Sequence, residues 1–308
     1  MYYMDGLNYK QISRKLDISI AYISRLLKAG RESGIIEIRI NDGGIASGTA
    51  DLASRLQERF SLRDAVVQES IDTSDVNMIK RNVGSRAAHY LFENLEDGTK
   101  LGITWGKTIR SVIDELVGSG SRSLDLTSYQ LCGNLSFVPM EINGMNLAAR
   151  VGELFAGSSR LLSVPAFVDN EYIRDAILTD SSVRSVFDEY KEIQCSLTSV
   201  GSVSDLTYST LYEAGQLDEE RVAALVEKGV VGDILFHFYT LDGEIVDHEF
   251  SQQYIRMELD DYLRVPRKIV VAAGDYKLKA IYGAIAAGMV DILITDSDTA
   301  TALLEMNT

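Results

Sequence analysis

Cysteine is scarce. Cys132 and Cys195 are the only two in 308 residues, too few for a disulfide framework or a four-cysteine zinc site, so both read as reduced thiols. His89, His237 and His248 are the only histidines, and none stands in a HExxH or other paired-ligand spacing. There is no G-x-S-x-G elbow, and no coherent nucleophile-and-base set can be assembled, so neither a catalytic residue nor a metal site is expected. His237 alternates along an apolar run and reads as a packed residue rather than a base. No apolar stretch approaches the ~20 residues needed to span a bilayer, and the N-terminus lacks the charged-then-apolar pattern of a secretory signal. A cytoplasmic protein with no membrane partner is expected. Positive charge is also short, with 30 Lys and Arg against 45 Asp and Glu, a formal net charge of −15 that should repel nucleic acid.

That shortage is uneven. Residues 1–40 hold seven cations (Lys10, Arg14, Lys15, Arg25, Lys28, Arg31, Arg39) against four carboxylates (Asp5, Asp17, Glu32, Glu37), leaving 23 against 41 for the remainder. A small nucleic-acid-contacting unit on an acidic body would have this asymmetry, and so would an ordinary solvated face. The local pattern is more specific. Asn8 with Gln11 fits a capping box, and Ile12 and Leu16 make a stripe, giving a helix over 8–16. Asp17-Ile18-Ser19 breaks the pattern and Ser19 caps a second helix, whose stripe of Ile23, Leu26 and Leu27 ends at Gly34. Two helices across a three-residue turn have helix-turn-helix spacing, in which the second helix enters the major groove. On that reading Ser19, Ala21, Tyr22, Ser24 and Arg25 face DNA and Lys28 meets phosphate. A plain helical hairpin with solvated cations would show the same spacing. GIIEIRI (34–40) alternates as a strand, and Asn41 to Gly44 reads as a hinge, placing a boundary near 44–48 and the domains at 1–46 and 47–308.

Beyond residue 49, helical and strand patterns alternate. DLASRLQERF and VNMIKRNVGSRAAHYLFENL read as amphipathic helices; KLGIT, SYQLC, RLLSVPAFV, SLTSVGSV, DILFHFY, KIVVAAG and DILITD read as strands. Such alternation predicts an α/β fold with a mainly parallel sheet covered on both faces, and ligands beyond the carboxyl ends of its strands. Those junctions supply the candidates. In KLGITWGKTIRSVIDEL a glycine-containing loop opens a helix, where backbone amides and the side chains of Thr104, Lys107 and Thr108 could hold a phosphate; a tight turn is the plain alternative. The spacings G-x-x-x-x-G-K-[ST] and G-x-G-x-x-G are absent there, so no nucleotide site, and no cofactor, is expected. Gly133 and Asn134 follow a strand and could admit a ligand or only close a turn. Asp233 is either a capping carboxylate or an acceptor for sugar hydroxyls. Lys277 opens a helix, against the dipole, which points to an anion unless it is merely exposed. Ser297 or Asp298 reads as a helix cap.

These segments together resemble the SorC family of bacterial sugar-responsive transcription regulators. YYMDGLNYKQISRKLDISIAYISRLLKAGRESGIIEIRI is similar to its DNA-binding segment, and GITWGKT, PAFV, LYEAGQL, GVVGDILFHFYTLDGEIV, VPRKIVVAAGDYK and ILITDSDTATALL resemble, in order, its effector domain. The resemblance implies a Rossmann-like effector domain, a phosphorylated sugar as effector, operator DNA as partner and a homo-oligomer, a tetramer. The effector contacts it implies are Gly102, Thr104, Trp105, Gly106, Lys107, Thr108, Gly133 and Asn134, with Asp233 for hydroxyls and Lys277 for phosphate. Members usually carry a fuller first helix before the Tyr pair, so either the start here is misassigned or trimmed or the three-helix unit is short. Cys132 and Asp275-Tyr276 also depart from commoner residues, which bears on the sugar. Two other classes stay open: a sugar-phosphate isomerase or deaminase with a basic extension, and a sugar-binding assembly factor.

Overall fold

Among the described residues of the computed structural model, the first two helices are α1 (Tyr9–Leu16) and α2 (Ile20–Glu32). The structure describes residues 7, 9–32, 46–71, 75–118, 122–203, 209–248 and 250–306. The chain divides into two units, Met1–Ala46 and Ser47–Thr308. In the first, Asp17 turns the backbone at φ 51°, a left-handed conformation that aspartate tolerates better than bulkier residues. Ser19 then caps α2, its Oγ accepting from the Tyr22 amide at 3.2 Å. Ile12 and Ile23 are buried, but Leu16 and Leu26, read as parts of the two stripes, are 47% and 49% exposed. Helices this short close only a narrow seam. Asn8, Gly34, the strand at 34–40 and the hinge at 41–44 lie outside the described residues.

The second unit runs α3 (Ala46–Phe60), β1 (Asp64–Gln68), α4 (Val76–Asn94), β2 (Lys100–Ile103), α5 (Lys107–Gly118), β3 (Thr127–Gln130), α6 (Gly144–Leu154) and β4 (Ser158–Arg160). It continues with α7 (Glu171–Thr179), α8 (Ser181–Glu189), β5 (Cys195–Thr198), β6 (Gly201–Ser202), α9 (Thr210–Glu213), α10 (Glu219–Glu227), β7 (Val230–Ile234) and β8 (His237–Thr240). It ends with α11 (Leu259–Arg264), β9 (Arg267–Val271), α12 (Leu278–Ala286), β10 (Ile292–Asp296) and α13 (Ser297–Glu305). Seven strands form one sheet in the order β1-β10-β9-β5-β2-β3-β4, every neighbouring pair parallel. Successive side chains feed opposite cores: Leu293 packs with Tyr129, Val270 and Ile281 on one face, Ile292 and Ile294 with Ile103, Leu197 and Val271 on the other. The α/β architecture expected from alternation is the one found. Among the described residues no helix is long and apolar enough to cross a membrane.

Several local readings need correction. DILFHFY is two strands rather than one: β7 and β8 pair antiparallel about Leu235 and Phe236, both at positive φ (55° and 59°). That two-residue turn normally carries Asn-Gly, so its sequence gave no cue. It is held instead by Asp233, whose Oδ2 accepts from the Phe236 amide at 3.1 Å. β7 also pairs β6 in a separate three-stranded sheet, which splits SLTSVGSV into β5 and β6. RLLSVPAFV contributes only the end of β4 and isolated bridges at Pro165 and Phe167. Strand β1, whose apolar run is only Ala65-Val66-Val67, was not anticipated. The cap of α13 is Asp296, accepting from Thr299 at 2.8 Å, because Ser297 Oγ is engaged with Ser70.

Candidate functional site

The loops beyond β2, β5 and β9 meet the β7–β8 hairpin around one cleft, enclosing about 710 Å³ of space that includes solvent-open volume. That is within the range of small-molecule sites, ~300 to 1,000 Å³. Its position beyond strand carboxyl ends follows from the parallel sheet, which points every βα loop the same way.

One wall is the β2–α5 loop. Gly106 takes φ 123°, which a side chain would strain, and its amide donates to Ile142 O at 2.9 Å. This turn starts α5 at Lys107, and the first amides of a helix have no intrahelical acceptor, so an anion is favoured there. Thr104 and Thr108 are buried beside it, and Trp105 lines the same wall with its ring 5.6 Å from that of Phe236. Lys107 Nζ pairs with Glu213 Oε1 at 2.5 Å, joining the start of α5 to α9.

The facing wall carries Asp233 and Lys277, 5% and 8% exposed. Burial pushes the Asp233 carboxyl up to about 6, against the pull of the Phe236 amide, Arg256 and Lys277. Gly201 opposite has no room for a side chain, since a Cβ would stand 2.0 Å from Asp233 Oδ1. Burial pushes Lys277 down to about 7, helped by repulsion from Lys80 and opposed by Asp233. Its Nζ donates to Ser199 Oγ at 3.1 Å. Lys277 ends a 3-10 turn, Asp275–Lys277, just before α12, so it projects inward rather than lying on an exposed helix face. The cleft thus combines helix-terminal amides, buried cations and a buried carboxylate: donors for an anion on one part of a ligand and an acceptor for hydroxyls on another.

Of the residues singled out in the sequence, Thr104, Trp105, Gly106, Lys107, Thr108, Asp233 and Lys277 come together in this cleft. Gly102, Gly133 and Asn134 do not line it. Gly102 lies in β2, where a Cβ would strike Leu131 at 2.7 Å. Gly133 packs against Pro165, leaving 2.2 Å between a Cβ and Pro165 O, and Asn134 spends its side chain on Gln130 and Leu162. Sequence reading missed Lys80, Ser199, Gly201, Ser202, Thr210 and Tyr276, all part of the lining. Lys80 had left a signal: it sits at i−4 from Gly84 in the stripe Gly84, Ala87, Ala88, Leu91, a cation within the buried face of α4. In the first unit Ser19, Ala21, Tyr22, Ser24 and Arg25 are all exposed, with the Arg25 guanidinium 5.9 Å from the Tyr22 ring centre; Lys28 lies on α2.

Residues 46–305 match the family model described as "Putative sugar-binding domain". The chain is 29% identical over 304 residues to the deoxyribonucleoside regulator of Bacillus subtilis (strain 168), covering 99% of this chain and 95% of that protein. It is 30% identical over 306 residues to the transcriptional regulator LsrR of Enterobacter sp. (strain 638), covering 99% and 90%. The crystal structure of the full-length sorbitol operon regulator SorC from Klebsiella pneumoniae superposes with a TM-score of 0.84 at 27% identity, over 99% of this chain and 96% of that one. With the domain match covering most of its length and regulators matching it from end to end, the chain belongs to the SorC family of bacterial transcription regulators.

Proposed function

We propose that this protein binds operator DNA through residues 1–46 and is controlled by a phosphorylated sugar held by residues 47–308, as a cytoplasmic homo-oligomer, a tetramer, governing a carbohydrate-utilisation operon. The observation that carries the effector half is the cleft itself, where the start of α5 and the buried Lys277 share a lining with the buried Asp233. Phosphate goes to the α5 amides, Thr104, Thr108 and Lys277; hydroxyls go to Asp233. The DNA half is supported by the three-residue turn, the Ser19 cap and the exposed row from Ser19 to Arg25. Gly102 and Gly133 leave room for the Leu131 side chain and the Pro165 backbone, and Asn134 ties Gln130 to Leu162. The relatives are named regulators, which sets aside the isomerase or deaminase reading.

The physical link between the halves is differential affinity: an effector that prefers one arrangement of the oligomer shifts DNA affinity, typically by about 1 to 3 kcal/mol. Thermal-shift screening against pentose and hexose phosphates, each beside its unphosphorylated sugar, tests the effector half, since a ligand at ~100 times its Kd stabilises by about 2.7 kcal/mol. Salt-dependent operator binding that changes with the same compound is the expected companion result. Turnover of the sugar phosphate, or effector binding with no operator binding at low salt, would refute the reading.

A further inference from the structure

Lys80, 9% exposed, lies on the buried face of α4 and lines the cleft. Among the described residues it forms no hydrogen bond and no ion pair. Helix packing places it there. Helices α4 and α5 each return from one parallel strand to the next, so they run side by side in the same direction, and Gly84 lets them touch at Ser111. One turn earlier on each, four residues back, stand Lys80 and Lys107. The register that lets Gly84 meet Ser111 therefore brings a second lysine to the start of α5, where anions are favoured. The charged groups whose fields reach Lys80 are Lys107 on α5, Glu213 on α9, Asp75 at the head of α4 and Lys277 before α12. Glu213 is engaged with Lys107, and Asp75 accepts from the Asn77 amide. A buried ammonium without a hydrogen-bond partner carries a desolvation cost that an incoming anion would offset.

We propose that Lys80 is a direct ligand of the effector's phosphate, closing a cationic set with Lys107 and Lys277 that selects a dianionic phosphate monoester over a singly charged sugar acid. This rests on the cleft being the phosphorylated-sugar site. Burial, then repulsion from Lys107, pushes Lys80 down to about 8, so near pH 8 the free cleft is only partly protonated. Loading a dianion must then draw protons onto Lys80 and Lys277, a readout that a purely structural lysine would not move.

The test is calorimetric titration of the full-length protein with inorganic phosphate at pH 8, in two buffers of different ionisation enthalpy, using wild type, Lys80→Met, Lys80→Gln and Lys277→Met. Lys80→Met is expected to weaken phosphate about 10-fold or more, the usual loss for a charge-assisted hydrogen bond. Proton uptake should fall, because Lys80 is only partly protonated at that pH and its removal also relieves the repulsion that lowers Lys277. Lys80→Gln should do the same, and both should unfold no earlier than wild type without ligand. Unchanged affinity and uptake in both Lys80 variants, with a loss in Lys277→Met, would overturn the role of Lys80 and leave the cleft reading intact. No binding of phosphate or of any sugar phosphate by wild type would overturn both.

Discussion

The two units use cations in opposite ways. In the first, Arg25 is exposed on α2, as are Ile20, Tyr22 and Leu26, each 43–49% exposed, and its neighbours Ala21 and Ser24. In the second, Lys80 and Lys277 are at most 9% exposed, and burial is the leading cause of their lowered pKa values. A surface that must meet a polyanion from solvent keeps its charges hydrated and gains affinity by releasing counterions. A cleft that must enclose one small anion desolvates its charges first, so the ligand's charge is worth more when it arrives. On the proposed reading, exposure separates a surface that meets a long polymer from a pocket that holds a small anion.

The largest test of this contrast is mechanical. Ile109, fully buried in the first turn of α5, should cost about 2 to 5 kcal/mol when cut to alanine, whereas exposed Leu26→Ala should stay within about 0.5 kcal/mol. Trp105, the only tryptophan, lies in the cleft and provides the fluorescence signal for denaturant unfolding of the larger unit. Similar losses from both changes would break the comparison. Next, Lys277→Ala should weaken a phosphorylated sugar by about 1.5 to 3 kcal/mol and barely alter its unphosphorylated form. Asp233→Asn should weaken both alike, because it is assigned to hydroxyls; calorimetry with the paired ligands decides whether charge and hydroxyl recognition are divided this way.

On the DNA side, Arg25→Ala should cost about 1 to 3 kcal/mol chiefly at one base pair, measured by anisotropy across operator variants. Lys28→Ala should weaken every sequence equally and lower the salt slope by roughly 1. Equal losses everywhere for Arg25→Ala would make it a phosphate contact and collapse the distinction between the two residues. The gentlest test is pH. Free-cleft values of about 7 for Lys277 and about 8 for Lys80 lie below the unfolded value of 10.5, so the unfolded chain holds more protons from about pH 7 upward. Their contribution to ligand-free stability therefore rises with pH across that window. The stabilisation added by a phosphate ligand should move oppositely, present below about 7 and shrinking as pH rises through 8, by up to about 1.4 kcal/mol per unit for each proton taken up. Thermal unfolding at pH 6.5, 7.5 and 8.5, with and without ligand, measures both slopes.

Periodicity and capping are short-range, and what depended on them was open to reading along the chain. Ser19 heads α2 as expected, and the alternation of helix and strand patterns foretold a parallel sheet whose βα loops surround a site. The glycine turn at 106, and Asp233 and Lys277 as candidates beside strands, could be marked in advance for the same reason. The β7–β8 turn could not, because Leu235 and Phe236 take left-handed backbone only through the Asp233 carboxylate and the packing around it. Gly133 and Asn134 could be read as a ligand loop or a turn, yet neither lines the cleft, because Pro165 packs on the first and Leu162 O accepts from the second. Lys80 lies between: its place in the stripe of α4 marks a buried cation. Nothing in its immediate neighbours says that its ammonium faces an anion site. Helix register across the Gly84–Ser111 contact buried it and set it beside Lys107, and desolvation acts only on a group that the tertiary structure has already removed from water.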